Sequence, residues 1–131
     1  MAVDKYKILY TLIIRRVIDA LDTSGKLVED SAKLLCPVGE TGNLRGSIHH
    51  KVDNQELSCT IGTPVEYAPY IEFGTGEFAE NGQGRKGGWF YVDDKGNKHF
   101  TFGNKPQPFL RPALYENIKY INKIFQEALK K

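Results

Sequence analysis

Cysteine, histidine, methionine and tryptophan are all scarce in this chain of 131 residues, with two, three, one and one copies respectively. Cys36 and Cys59 are too few for a disulfide framework. A chain of this length buries roughly two-thirds of its unfolded surface and has no need of one. Both are expected as free thiols packed like small apolar residues in a reducing compartment. Together with His49, His50 and His99 they are the only good soft-metal ligands, and neighbouring strand residues such as His49 and His50 point to opposite faces, so no metal site is assigned. No nucleophile stands beside a marked base, so no catalytic residue and no cofactor is assigned either. A strong charge of one sign is also missing. Eighteen Lys and Arg against sixteen Asp and Glu leave +2, which neither demands nor excludes nucleic acid nearby. Long apolar runs are absent as well. The run 8–14 contains Tyr10 and Thr11 and ends at Arg15-Arg16; it is too short for a bilayer and carries no small-residue cleavage site. No membrane contact is therefore expected, and the chain reads as cytoplasmic at synthesis.

What is present is pattern. From about residue 4 to 35, Tyr6, Leu9, Tyr10, Ile13, Val17, Ala20, Leu21, Ser24, Val28, Ala32 and Leu35 recur at steps of three and four. Gly25 costs ~1 kcal/mol inside a helix, but the stripe keeps phase across it, which predicts one helix on the order of 45 Å long. That is more than so small a core requires, so part of its face is expected against a neighbouring subunit. Pro37 then ends the helix. Gly42 can take positive φ, Thr41 and Asn43 suit turns, and Leu44 and Ile48 anchor the outgoing segment; the stretch 36–48 reads as a corner that docks the helix onto a sheet. Alternation over 47–52 and 57–62, with Asp53-Asn54-Gln55-Glu56 between, predicts a hairpin. Residues 65–76 predict a helical turn or tight loop bearing Tyr67, Tyr70 and Phe73. Residues 78–88 predict a mobile polar loop, and 89–92 with 98–102 a second, strongly aromatic hairpin. Pro112 suits the first turn of a last helix carrying Leu114, Ile118, Ile121, Phe125 and Leu129. The class is α+β, one domain over 1–131, with a small antiparallel sheet of about four strands packed against a long N-terminal and a C-terminal helix.

Three ordered segments carry a resemblance. Pro37-Val38 with Thr41-Gly42-Asn43-Leu44 and Ser47-Ile48 forms the first, with one residue more than the commonest spacing between Val38 and Thr41. Tyr67-Ala68-Pro69-Tyr70-Ile71-Glu72-Phe73-Gly74-Thr75 is the second, and Pro108-Phe109-Leu110-Arg111-Pro112-Ala113 the third. Together the chain resembles the tail-component (gene product ten-like) family of lambda-like, long-tailed phages and prophages. The resemblance implies a non-enzymatic virion assembly protein, a tail-completion or head–tail joining subunit in a homo-oligomeric ring, made in the host cytoplasm and ending in the virion. Its implied partners are copies of itself, neighbouring neck and tail proteins and, transiently, packaged DNA. The motif residues Pro37, Thr41, Gly42, Leu44, Ser47, Tyr67, Tyr70, Glu72, Phe73, Gly74, Pro108, Phe109, Leu110 and Pro112 are then fold or interface residues.

The Gly-rich loop matches none of the three segments. Its Gly82, Gly84 and Gly87 spell a dinucleotide-like pattern, but no parallel strand precedes it and no helix follows. Arg85 and Lys86 in that loop are candidates for a DNA-facing role on composition. Trp89, Tyr91, Phe100 and Phe102, near Lys98 and Lys105, support an alternative: a small nucleic-acid-binding domain that stacks bases on the hairpin. Against it stands ring packing in the core and at a subunit interface.

Overall fold

The computed structural model describes residues 5–37 and 42–130. The order is α1 (Lys5–Leu35), α2 (Asn43–Ser47), β1 (His49–Asp53), β2 (Ser58–Gly62), α3 (Ala68–Phe73), a 3-10 turn (Gly76–Phe78), β3 (Trp89–Val92), β4 (Lys98–Thr101), α4 (Leu110–Tyr115) and α5 (Ile118–Leu129). The class is α+β. The four expected strands are present, but they pair as two separate antiparallel hairpins, β1–β2 and β3–β4, rather than as one sheet. Among the described residues no helix is long and apolar enough to cross a membrane.

The core sits at the C-terminal half of α1. Val28, Ala32 and Cys36 meet Leu44 and Ile48 from the corner, Ala68 from α3, and Phe109 and Ala113 around the start of α4; Ile61, Val65, Ile71, Leu110 and Ile121 close the rim. Phe109 is the largest side chain with no exposure at all. Its removal ranks among the costliest changes available, since a buried Phe→Ala typically costs about 3–5 kcal/mol. Burial pushes the Cys36 and Cys59 thiols up, and both are free.

Gly25 is buried in an unbroken helix, and the reason lies across the interface. A Cβ there would fall 2.8 Å from the His50 ring and closer still to the Cys59 sulfur, so only glycine lets hairpin β1–β2 lie down on α1. The register pairs His50 with Ile61 and Val52 with Cys59. These four half-buried side chains share one face, while Lys51, Asp53, Ser58 and Thr60 are exposed on the other. Leu57 falls outside β2, in the turn, with φ of 51°.

Two local features differ from the sequence pattern. The corner contains a five-residue helix, α2, which begins after Gly42 at φ 66°. The last helix is interrupted at 116–117. There the Asn117 amide Nδ2 donates to the Ala113 carbonyl (2.7 Å) and to Ser31 Oγ (2.8 Å), while its backbone N–H turns to Leu114 O (3.2 Å). A side chain that takes the i−4 carbonyl competes with the helix ladder, and α4 and α5 separate there.

Candidate assembly interface

Two charge clusters position the surfaces. In the first, Glu29 of α1 is buried and accepts hydrogen bonds from the His50 backbone N–H (2.9 Å) and ring Nδ1 (3.0 Å). The other ring nitrogen reaches Asp22 Oδ1 at 2.9 Å. Carboxylates at both nitrogens require both to donate, which is the imidazolium form. Glu29 raises the His50 pKa most, with Asp22 second. In return His50, aided by Lys26 and Lys33, holds the Glu29 carboxyl down at about 2 against the pull of burial. This clasp fastens β1 to α1.

The second cluster joins two of the sequence motifs. Glu72 is 3 % exposed, and its Oε1 accepts the N–H groups of Phe109 (3.0 Å) and Leu110 (2.8 Å). Its Oε2 pairs with Arg111 Nε at 2.7 Å. Burial pushes this carboxyl up, but Arg111 and the backbone N–H groups outweigh it and hold it below the usual range. Phe109, which precedes α4, has no side chain able to cap it, and Glu72 supplies the missing acceptor. Arg111 continues to Glu80 (2.9 and 3.0 Å) and lies over the Phe73 ring at 4.5 Å. Glu80 and Glu72 together raise its pKa.

Each expected site residue has a definite place, except Thr41, which lies outside the described residues, as do Val38 and the extra residue of the corner. Pro37 is half-buried; Leu44 is buried, and Ser47 Oγ donates to Leu44 O (2.7 Å) and meets Thr63 Oγ1 (2.5 Å). Arg45, which the sequence reading did not single out, ties the corner to the end of α1 by donating to Cys36 O at 2.9 Å. In the central segment Ala68 and Glu72 turn inward, whereas Tyr67, Tyr70 and Phe73 are exposed. Gly74, at φ 82°, leaves no room for a Cβ between Phe78 O and Pro106. Pro108, Leu110 and Pro112 are half-buried around Phe109.

The loop 79–88 is folded back at several points. Glu80 N–H reaches Phe73 O (3.0 Å), Gly87 N–H reaches Glu77 Oε1 (3.2 Å), and the Arg85 guanidinium lies 5.5 Å from the Trp89 ring centre. Lys86 is exposed. Beyond it, hairpin β3–β4 carries aromatic rings on both faces. Phe90 meets Phe100 edge-on (5.0 Å), Phe100 meets Phe102 (5.1 Å), Tyr91 stacks on His99 (5.2 Å), and Lys98 lies over Phe90 (4.6 Å). Phe90, Tyr91, Val92, Phe100 and Phe102 are all exposed, so the expected core packing of this hairpin is not found. Its anchorage is at the base, where Glu77 N–H bonds Phe102 O and Thr75 N–H bonds Asn104 O, both at 2.9 Å.

The first half of α1 is the other uncovered surface. Asn117 Nδ2 bonds Ser31 at the start of α5, and α5 then runs back along α1, lining with it a groove of about 710 Å³ between 19–27 and 120–128. Twelve residues from Asn117 to Leu129 match twelve from Ser31 to Asp19, so α5 ends about level with Asp19. Tyr6, Ile8, Leu9, Tyr10, Leu12 and Ile13 lie beyond that point and are exposed, Tyr6 at 84 %. The stripe read from the sequence is buried only from Ala20 onward, and Leu35 at its far end is exposed.

Comparison with protein families returns a match to the family described as "Bacteriophage HK97-gp10, putative tail-component" over residues 4–74. The match takes in α1, the corner, hairpin β1–β2 and α3, and stops short of the third motif. Comparison with curated proteins and with solved structures returns no match.

Proposed function

This chain belongs to the HK97-gp10 tail-component family of bacteriophages, and from that premise we propose a non-enzymatic tail-completion or head–tail joining subunit that works within a homo-oligomeric ring. The observation that carries the reading is the projecting half of α1, where among the described residues Ile8, Leu9, Tyr10, Leu12 and Ile13 are exposed. Contiguous apolar surface of this kind marks a site of protein association. A ring subunit has such cover waiting on its neighbours. On this reading residues 1–131 act as one unit, assembled in the host cytoplasm and retained in the virion. Glu72, Gly74, Phe109 and the corner residues Pro37, Gly42, Leu44 and Ser47 hold the frame, with Pro108, Leu110 and Pro112 around them. Tyr67, Tyr70 and Phe73 face neighbouring neck or tail proteins. Arg85 lines the same groove as Tyr70 and Phe73, Lys86 follows it in the exposed loop, and on this reading both face a DNA channel.

Electron microscopy of lysates from the parent phage with this gene deleted tests the reading. Filled heads lying apart from finished tails support a joining role, and overlong or irregular tails support a terminating one. Intact infectious virions overturn the proposal. One observation favours the alternative, a nucleic-acid-binding module: the exposed Phe90 ring and the half-buried Trp89 ring of β3–β4 already hold Lys98 and Arg85 against their faces. Salt-sensitive binding of single-stranded DNA or RNA by the isolated protein, with virions intact, would establish it.

A further inference from the structure

Helix α5 has no buried residue along its 12 positions, and one side of it borders the groove of about 710 Å³ that it forms with α1. The α1 wall offers Ala20, Thr23 and Leu27, two of them small, so another helix can come close. The α5 wall is the row Tyr120, Ile124 and Ala128, one residue per turn, with the exposed Lys123 and Glu127 beside it. Tyr120 is 62 % exposed although it lines an apolar groove. Asp19 is the remaining charge in the lining and lies on the α1 side.

This row is complementary to its own reverse. Set antiparallel about Ile124, two copies of α5 bring Ile124 against Ile124. Tyr120 of each then stands level with Ala128 of the other, since both lie four residues, or about 6 Å, from the centre. A large side chain faces a small one at either end. The same reversal sets Lys123 of one copy about 3 Å, along the helix axis, from the level of Glu127 of the other. Within one chain these two charges have little use for each other. A lysine four residues ahead of a glutamate is the weaker order for a helical pair, and among the described residues neither meets an opposite charge. A parallel arrangement would instead set Lys123 against Lys123 and Tyr120 against Tyr120. We propose that two copies of this chain pair about a two-fold axis at Ile124, each α5 lying antiparallel to the other over the groove between α1 and α5. Both copies use the same surface, so the contact closes at two. Neighbours in a single cyclic ring are not related in this way, so the pair belongs to the free protein and gives way on assembly. It stands whether or not the ring reading does.

Light scattering on the purified full chain at about 100 μM and low salt tests this. A dimer is expected; a monomer, or a closed species larger than two, overturns the pairing. Charge reversal then tests its geometry. Lys123→Glu and Glu127→Lys each set like charges together across the axis, and each weakens its own dimer about tenfold. Mixing the two variants restores dimers, now of one chain of each kind, because every cross-axis pair is again opposite in sign. Reversal without loss, or loss that mixing does not rescue, contradicts the proposed contact. Ile124→Cys, placed on the axis, should join two copies through a short bis-maleimide far faster than the wild type, whose Cys36 is buried and Cys59 half-buried. Equal rates overturn the register. Intact virions from the gene deletion would remove the ring and leave this pair standing.

Discussion

Hairpins β1–β2 and β3–β4 are both short antiparallel ribbons closed by an Asp-led turn, yet only the first lies on a helix. Asp53 and Asp93 each accept backbone N–H groups from their turns, so local chemistry does not separate the two. Side-chain alternation does. In β1–β2 one face holds His50, Val52, Cys59 and Ile61 against α1 and the other is polar. In β3–β4 the Phe90–Phe100 pair occupies one face while Trp89 and Tyr91 occupy the other, so no single packing partner satisfies it. A lone two-stranded ribbon is marginal in water. The first is made permanent by Gly25 and the Glu29–His50 clasp; the second leaves its rings exposed among the described residues. The arm of α1 is its counterpart among the helices.

The largest way to break this contrast is Gly25→Leu. The added side chain must displace Cys59 and His50 together, and overpacking of that kind costs about 3 kcal/mol, read as a lower urea midpoint with the first hairpin released. Next comes Glu72→Gln, which leaves Arg111 and three helix-entry N–H groups poorly served. About 2 kcal/mol of stability is expected to go, together with protection of amides 109–111. His50→Gln removes the clasp for about 1–2 kcal/mol, and here pH sharpens the contrast. The His50 pKa is raised, so its contribution is complete below the ordinary value of 6.5 and fades as pH climbs through the folded-state value. The Glu29 pKa is lowered, so its share is complete above the ordinary 4.5 and disappears as pH falls toward about 2. The stability gap between wild type and His50→Gln should therefore be widest between 4.5 and 6.5 and narrow on either side, with Asp22, Lys26 and Lys33 as the other charges facing the pair. The smallest expected stability effect is Phe90→Ser with Phe100→Ser, below about 0.5 kcal/mol for the free subunit because the rings are exposed. The same pair should nevertheless block incorporation into particles.

Much of this architecture was legible in the sequence. The three- and four-residue stripe marked α1 across Gly25, the polar tetrad at 53–56 and the 93–97 turn marked both hairpins, and the ordered motifs pointed to the family that residues 4–74 match. What escaped reading was either too short or too distant for a local pattern. Helix α2 is five residues long, below any useful period. The clasp joins Glu29 to His50 across 21 positions and the cap joins Glu72 to Arg111 across 39; neither spacing is visible before the chain folds. The division of the strands into two ribbons is likewise a matter of edges that never meet. The exposure of Tyr6 to Ile13 was only half legible. An apolar stripe says which face of a helix seeks cover, not whether the same chain provides it.

Hydrogen exchange on the free subunit and on the protein inside assembled phage particles tests the central claim most directly. The account predicts that amides of β1–β2 are protected in both states, while those of β3–β4 and of the α1 arm exchange quickly in the free subunit and become protected only on assembly. Strong protection of β3–β4 in the free subunit, or rapid exchange of both regions inside the particle, would contradict it.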